Sequence, residues 1–165
     1  MEHAGVLKAA LLAAVGEELR GTEALPETRT RWGAPLLGVA DAADPGFLLL
    51  RTIIDPAHAL PGEILPGARR VVSYFVPFLP ETASGNRGGT IASPAWARAY
   101  EETNAMFGVV NARLIRVLSE AGYTAVEPPQ AGPLDREKII SYWSQRHVAR
   151  LAGLGTFGLN NMLIT

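Results

Sequence analysis

At 165 residues the chain has the size of one domain, long enough to bury a core without disulfide or metal staples. It contains no cysteine, which excludes a disulfide, a thiolate nucleophile and a cysteine-held metal within these residues. A net charge of −1, with 48 % hydrophobic and 19 % charged residues, describes an ordinary globular chain without a basic surface for nucleic acid or an anionic membrane.

Residues 4–20 predict an amphipathic helix: Val6, Leu7, Ala10, Leu11, Ala14 and Val15 recur at helical spacing, with Lys8 and Glu17 off that face. The same stretch is no signal peptide, because it lacks a positive leading region and runs into Glu17 and Glu18 instead of a cleavage site. No apolar run approaches the roughly 18–20 residues of a membrane span. These features describe a soluble, cytoplasmic protein. Residues 21–34 are polar loop, and 34–40 form a short apolar strand that Asp41 ends. Asp44-Pro45 supplies a cap and a first-turn proline for a short helix through Ile54, stopped by Asp55-Pro56. Residues 70–79 are the strongest strand, rich in β-branched and aromatic side chains, with Pro77 marking an edge or a bulge.

Residues 80–93 predict a loop, either a surface connection or a ligand lid, without the lysine and spacing of a phosphate loop. Ser93-Pro94 opens the longest helix, whose stripe includes Trp96, Ala99, Tyr100, Thr103, Phe107, Val110 and Leu114. Gly108 inside it costs about 1 kcal/mol against alanine, which suggests a close backbone contact. Gly122 closes the helix. Residues 123–127 predict a strand, closed by Pro128-Pro129. A last helix spans Asp135–Ala152, capped by Gly153-Leu154-Gly155, and 159–165 read as a turn and the start of a strand. The apolar ending creates the expectation that the native protein continues past Thr165 and that this fragment dimerises through its Met162–Ile164 edge. There is no internal repeat and no interdomain linker, so 1–165 read as one α/β (α+β) domain, a mixed sheet flanked by helices.

The segment WSQRHVARLAGLGTFGLNNMLIT, residues 143–165, resembles the epoxyqueuosine reductase family and its anaerobe-type relatives. Leu65-Pro66-Gly67 before the strongest strand and Trp96-Ala97-Arg98-Ala99-Tyr100 at the start of the long helix add to the resemblance, which covers about residues 34–165. It implies an N-terminal domain like the flavin-reductase or nitroreductase fold that binds cobalamin. It also implies a following ferredoxin-like module with cysteine-held [4Fe–4S] clusters, the source of electrons and the chain's main partner. The family's catalytic aspartate, seven residues before the arginine that matches Arg146, is here Ile139; Asp135 and Glu137 are nearby but out of register. An alkyl side chain delivers no proton. The resemblance therefore implies reductive chemistry on a substrate other than epoxyqueuosine, and it leaves the catalytic residue unassigned.

The cofactor contacts it implies are Tyr100, Ser144, Arg146, His147, Gly153, Gly155, Thr156 and Gly158. Each has a structural alternative. Tyr100 and its neighbours fit a core stripe, and Ser144 a helix cap. Arg146 has Asp135, Glu137 or solvent as partners. His147 shares a helix face with Trp143 and Leu151 and fits a packed histidine satisfied by a carbonyl. Three glycines in GLGTFGLNN would let a backbone approach a ligand, or simply make a cap and a turn. His3, His58 and His147 lack metal-ligand spacing. Two rival readings are a non-catalytic interaction or regulatory domain that has lost its cofactor, and a flavin-binding domain.

Overall fold

The computed structural model describes residues 2–87, 89–128 and 142–165. Its elements in chain order are α1 (Glu2–Glu23), β1 (Leu36–Asp41), α2 (Pro45–Ile53), α3 (Pro61–Ile64), β2 (Arg70–Phe75), α4 (Pro80–Ser84), α5 (Pro94–Glu120), α6 (Gln145–Leu151), β3 (Thr156–Phe157) and β4 (Leu163–Ile164). The architecture is mixed α/β, but the described residues form two separate two-stranded sheets, β1-β2 and β3-β4, where one mixed sheet was expected. No described helix is long and apolar enough to cross a membrane. The chain divides into two compact units: Met1–Leu36 with Val76–Thr124, and Leu37–Phe75 with Ala125–Thr165.

The first unit is built on α1 packed against α5. Leu11, Ala14, Val15 and Leu19 of α1 are buried, whereas Val6 and Ala10, expected on that face, are exposed. On α5 the buried positions are Ala99, Thr103, Met106, Val110 and Leu114. The expected stripe had the right period but the wrong centre: packing turns Met106 inward and leaves Tyr100 64 % exposed. Ser93 Oγ accepts the Trp96 N–H at 3.2 Å, and Pro94 occupies the first turn, so the predicted start is as read. At the other end Gly122 has φ +84°, Tyr123 N–H reaches Leu118 O at 2.9 Å and Gly122 N–H reaches Ser119 O at 2.9 Å. That pair of bonds is a Schellman cap. Gly108 meets open space, so no close contact accounts for it.

Two other expectations change in this unit. Pro80 and Glu81 favour a first turn, and five residues of the expected loop form α4. The strand expected over 70–79 ends at Phe75, because Pro77 has no N–H to donate; beyond it Phe78 makes only an isolated antiparallel bridge with Trp32. Trp32 Nε1–H donates to Thr103 Oγ1 at 2.9 Å, and that hydroxyl donates to Ala99 O at 2.6 Å.

In the second unit the Ala42 N–H donates to Arg69 O at 3.1 Å, so the end of β1 lies beside the start of β2 and the two run antiparallel. Asp44 Oδ1 accepts the Gly46 N–H at 2.7 Å and caps α2 as predicted. The core gathers Ala40, Phe47, Leu50, Ala59, Trp143, Val148 and Ala152. Gly38 is required there, since a Cβ would fall on the Ala152 carbonyl and lie 3.0 Å from Leu154 Cγ. The short α3 was not foreseen; Glu63 holds its start by accepting the Leu60 N–H at 2.9 Å.

The strand expected over 123–127 is absent: residues 123–128 belong to no helix or strand, because β-propensity makes a strand only where a partner strand lies alongside. Of the helix expected over 135–152, residues 135–141, with Asp135, Glu137 and Ile139, lie outside the described ones, and the helix observed is Gln145–Leu151. Its end is a second Schellman cap at Gly153, φ +77°, with Leu154 N–H to Ala149 O and Gly153 N–H to Arg150 O, both at 3.0 Å. The expected terminal strand is β4, antiparallel to β3, with Thr156 opposite Ile164 and Phe157 opposite Leu163.

Candidate functional site

The chemistry-bearing side chains of the second unit collect around the start of α6. His58 is fully buried, and its ring stacks on Trp143 at 5.7 Å between centroids. Its Nε2 accepts the Ser144 N–H at 3.0 Å, which requires a lone pair there. Nδ1 therefore carries the proton and donates to Ala59 O at 2.8 Å. Burial pushes this imidazole below its ordinary value, the Ala59 carbonyl draws it part of the way back, and Arg51 adds a smaller downward push. Both ring nitrogens are committed, so His58 has no electron pair left for a metal or a substrate. Its role is to satisfy the backbone donor at the mouth of α6, a task that a carboxylate performs from within a helix at other N-termini.

With its backbone fixed in this way, Ser144 turns its hydroxyl to His147, with Oγ and Nδ1 2.7 Å apart. His147 also packs on Phe157, with ring centroids at 4.6 Å. Burial, then the neighbouring Arg146, His58 and Arg150, hold its pKa below the ordinary value, so the ring is neutral at pH 7. Among the described residues no hydrogen bond engages its Nε2. No described carboxylate hydrogen-bonds to His147. Among the described residues the serine–histidine pair therefore has no orienting acid of the kind a nucleophilic triad uses. No group of three described side chains is placed to hold a metal.

The other expected contacts fall as follows. Arg146 donates from Nη1 to Asn161 O at 2.9 Å and braces the turn between β3 and β4. Gly153 is used by the helix cap. Gly155 is needed because a Cβ there would fall on the Ile164 carbonyl, and Gly158 because one would come within 3.0 Å of Ile164 Cδ1. Thr156 is exposed on β3. Tyr100 belongs to the first unit, where Asn104 Nδ2 donates to its carbonyl at 2.7 Å.

His147 and Thr156 line a cleft of about 390 Å³ together with Arg150, Phe157, Leu49 and Ile53. Arg150 and Phe157 were missed as site residues, although Arg150 follows His147 by three positions and so shares its helix face. The two leucine and isoleucine positions come from α2, whose N-terminus meets α6 closely: the Leu151 side chain occupies the place of a Gly46 Cβ. The cleft combines an apolar wall, one guanidinium, one hydroxyl and one neutral imidazole, a donor set for holding and orienting a ligand. Comparison of the chain with family models, with curated proteins and with solved structures finds no match.

Proposed function

We propose that the second unit is the cofactor-contacting part of a redox protein similar to the epoxyqueuosine reductases, binding cobalamin for reductive chemistry. The finer fold reading, a flavin-reductase or nitroreductase-like arrangement, belongs to the same proposal. The observation that carries it is the course of residues 143–165, the segment with the resemblance. They form one continuous helix, cap and hairpin that brings His147, Arg150 and Thr156 onto a single cleft.

The donor set suits the carboxamide rim of a corrinoid, and a cleft of about 390 Å³ takes such an edge and not the whole macrocycle. Thr156, Arg150 and His147, whose Nε2 no described residue engages, form that set. The three glycines serve the chain's own cap and hairpin, so the hold is by side chains and not by a glycine cradle. When bound, a corrinoid supplies an electron-rich cobalt centre. The residues of this chain orient it: Ser144 fixes the His147 ring, and Phe157 and Ile53 give it an apolar wall. Electrons come from a ferredoxin-like module with [4Fe–4S] clusters, since a cysteine-free chain holds none itself.

Anaerobic titration with cob(II)alamin tests the reading. A saturable change in the absorption spectrum, weakened by His147→Ala, is the expected result. No spectral change and no heat at millimolar ligand refutes it. Flavin bound in its place selects the flavin domain, and neither cofactor selects the interaction or regulatory domain. The exposed Met162, next to β4, and Ile164 within it support a homodimer, and sedimentation velocity showing a clean monomer at high concentration removes it.

A further inference from the structure

The walls of this cleft differ in chemistry, and the difference points to a class of ligand that a cobalamin reading does not supply. Leu49 and Ile53 are one turn apart on α2 and stay 55 % and 56 % exposed, an apolar surface left open to water. Facing the same space are Arg150 and His147, three residues apart on α6, and the Phe157 ring that packs on His147. The Arg150 guanidinium has no hydrogen bond or ion pair with any described residue, whereas Arg51 is paired with Glu63 and Arg146 is engaged on the hairpin. Among the described residues no acidic side chain lines the cleft. One planar cation without a partner among the described residues, beside an apolar wall, matches a carboxylate on an apolar body. The guanidinium fork takes a carboxylate through two parallel hydrogen bonds. A volume of about 390 Å³ lies at the small end of ligand pockets and admits a single-ring acid.

We infer that this cleft binds a small aryl or alkyl carboxylate, its anionic head on Arg150 and its apolar body against Leu49, Ile53 and Phe157. Thr156 adds a hydroxyl to the polar end. The inference concerns the same cleft as the cofactor proposal but does not rest on it.

The test uses the full chain, 3-phenylpropionate as the acid and 3-phenylpropanamide as its neutral counterpart. Binding is read by calorimetry and by ¹⁵N-resolved amide shifts. An acid of this size should bind with a Kd on the order of 1 mM. Saturable shifts should centre on Leu49, Thr156 and Phe157. The amide should bind at least about tenfold more weakly, because it loses the charge-assisted bonds. Arg150→Gln should cost the acid a similar factor and the amide little, and Arg150→Lys should recover part of it. Leu49→Asp, which puts a charged group where the apolar body packs, should also weaken the acid. Amide and acid binding equally well overturns the inference in the unaltered chain, so the result stands even if a variant fails to fold. Shifts scattered without saturation overturn it too. Acid binding without cob(II)alamin binding upholds this inference and removes the cofactor proposal; the opposite pattern removes this inference alone.

Discussion

Replacing His58 by phenylalanine keeps a ring of similar size against Trp143 and removes both hydrogen bonds at once. The buried Ala59 O and the part-buried Ser144 N–H then lose partners at 2.8 and 3.0 Å. An unpaired buried group costs about 1–3 kcal/mol, so the pair should cost about 2–4 kcal/mol, with part of it recovered by water at the less buried Ser144. The same histidine makes stability depend on pH. Its folded pKa lies below the ordinary 6.5, so the unfolded chain takes up the proton first. Stability is full above pH 6.5 and falls as pH drops below it, at about 1.4 kcal/mol per pH unit for one such group until the folded pKa is reached. His147, also held low, adds in the same direction, and Arg51 is the cation facing His58. The lowered carboxyls Glu63 and Glu102 act only below their ordinary 4.5, outside this window. Urea unfolding followed by tryptophan fluorescence, repeated from pH 7.5 to 5.5, measures both effects. A His58→Phe chain as stable as the parent at pH 7.5, or a parent whose stability is flat across that range, refutes the assignment of His58 as the neutral partner of Ser144.

Gly38→Ala should destabilise the second unit by about 1–3 kcal/mol, since the new methyl must displace the Ala152 carbonyl; an unchanged urea midpoint would show that β1 shifts freely. Thr103→Val in the first unit leaves the buried Trp32 Nε1–H unpaired and should cost about 1–3 kcal/mol, with Thr103→Ser restoring most of it in the same melt. Glu102 accepts the Arg29 and Thr30 amides, at 3.1 and 2.7 Å. Burial raises its pKa, but the Thr30 and Arg29 bonds and Arg98 outweigh it and the net shift is downward. Its contribution is therefore present above pH 4.5 and lost as pH falls through the lower folded value. Glu102→Gln should cost about 1 kcal/mol at pH 7 and flatten the acid limb of the stability curve; a limb of unchanged steepness would assign it to other carboxyls.

What was legible in the sequence is what depends on near neighbours along the chain. Asp44-Pro45, Ser93-Pro94, Gly122 and Gly153 each set a helix end through bonds that span at most five residues, and all four stand where they were read. The period of α1 and α5 was equally plain, because it is a property of the helix itself. The phase was not. Which arc of α5 turns inward is decided by α1 lying along it, and that choice buries Met106 and exposes Tyr100. Strands show the same division. Residues 70–75 became a strand beside β1, while 123–127, with comparable β-propensity, form none, because a strand exists only with a partner to receive its hydrogen bonds. In the candidate site, residues 143–165 stood out as a segment, and His147 and Thr156 were named from it. His58 was not: its bond to Ser144 joins residues 86 positions apart, and no local pattern encodes that pairing. The cleft itself arises where α2 meets α6, so the environment of Arg150 was settled by helix packing and not by any motif around it.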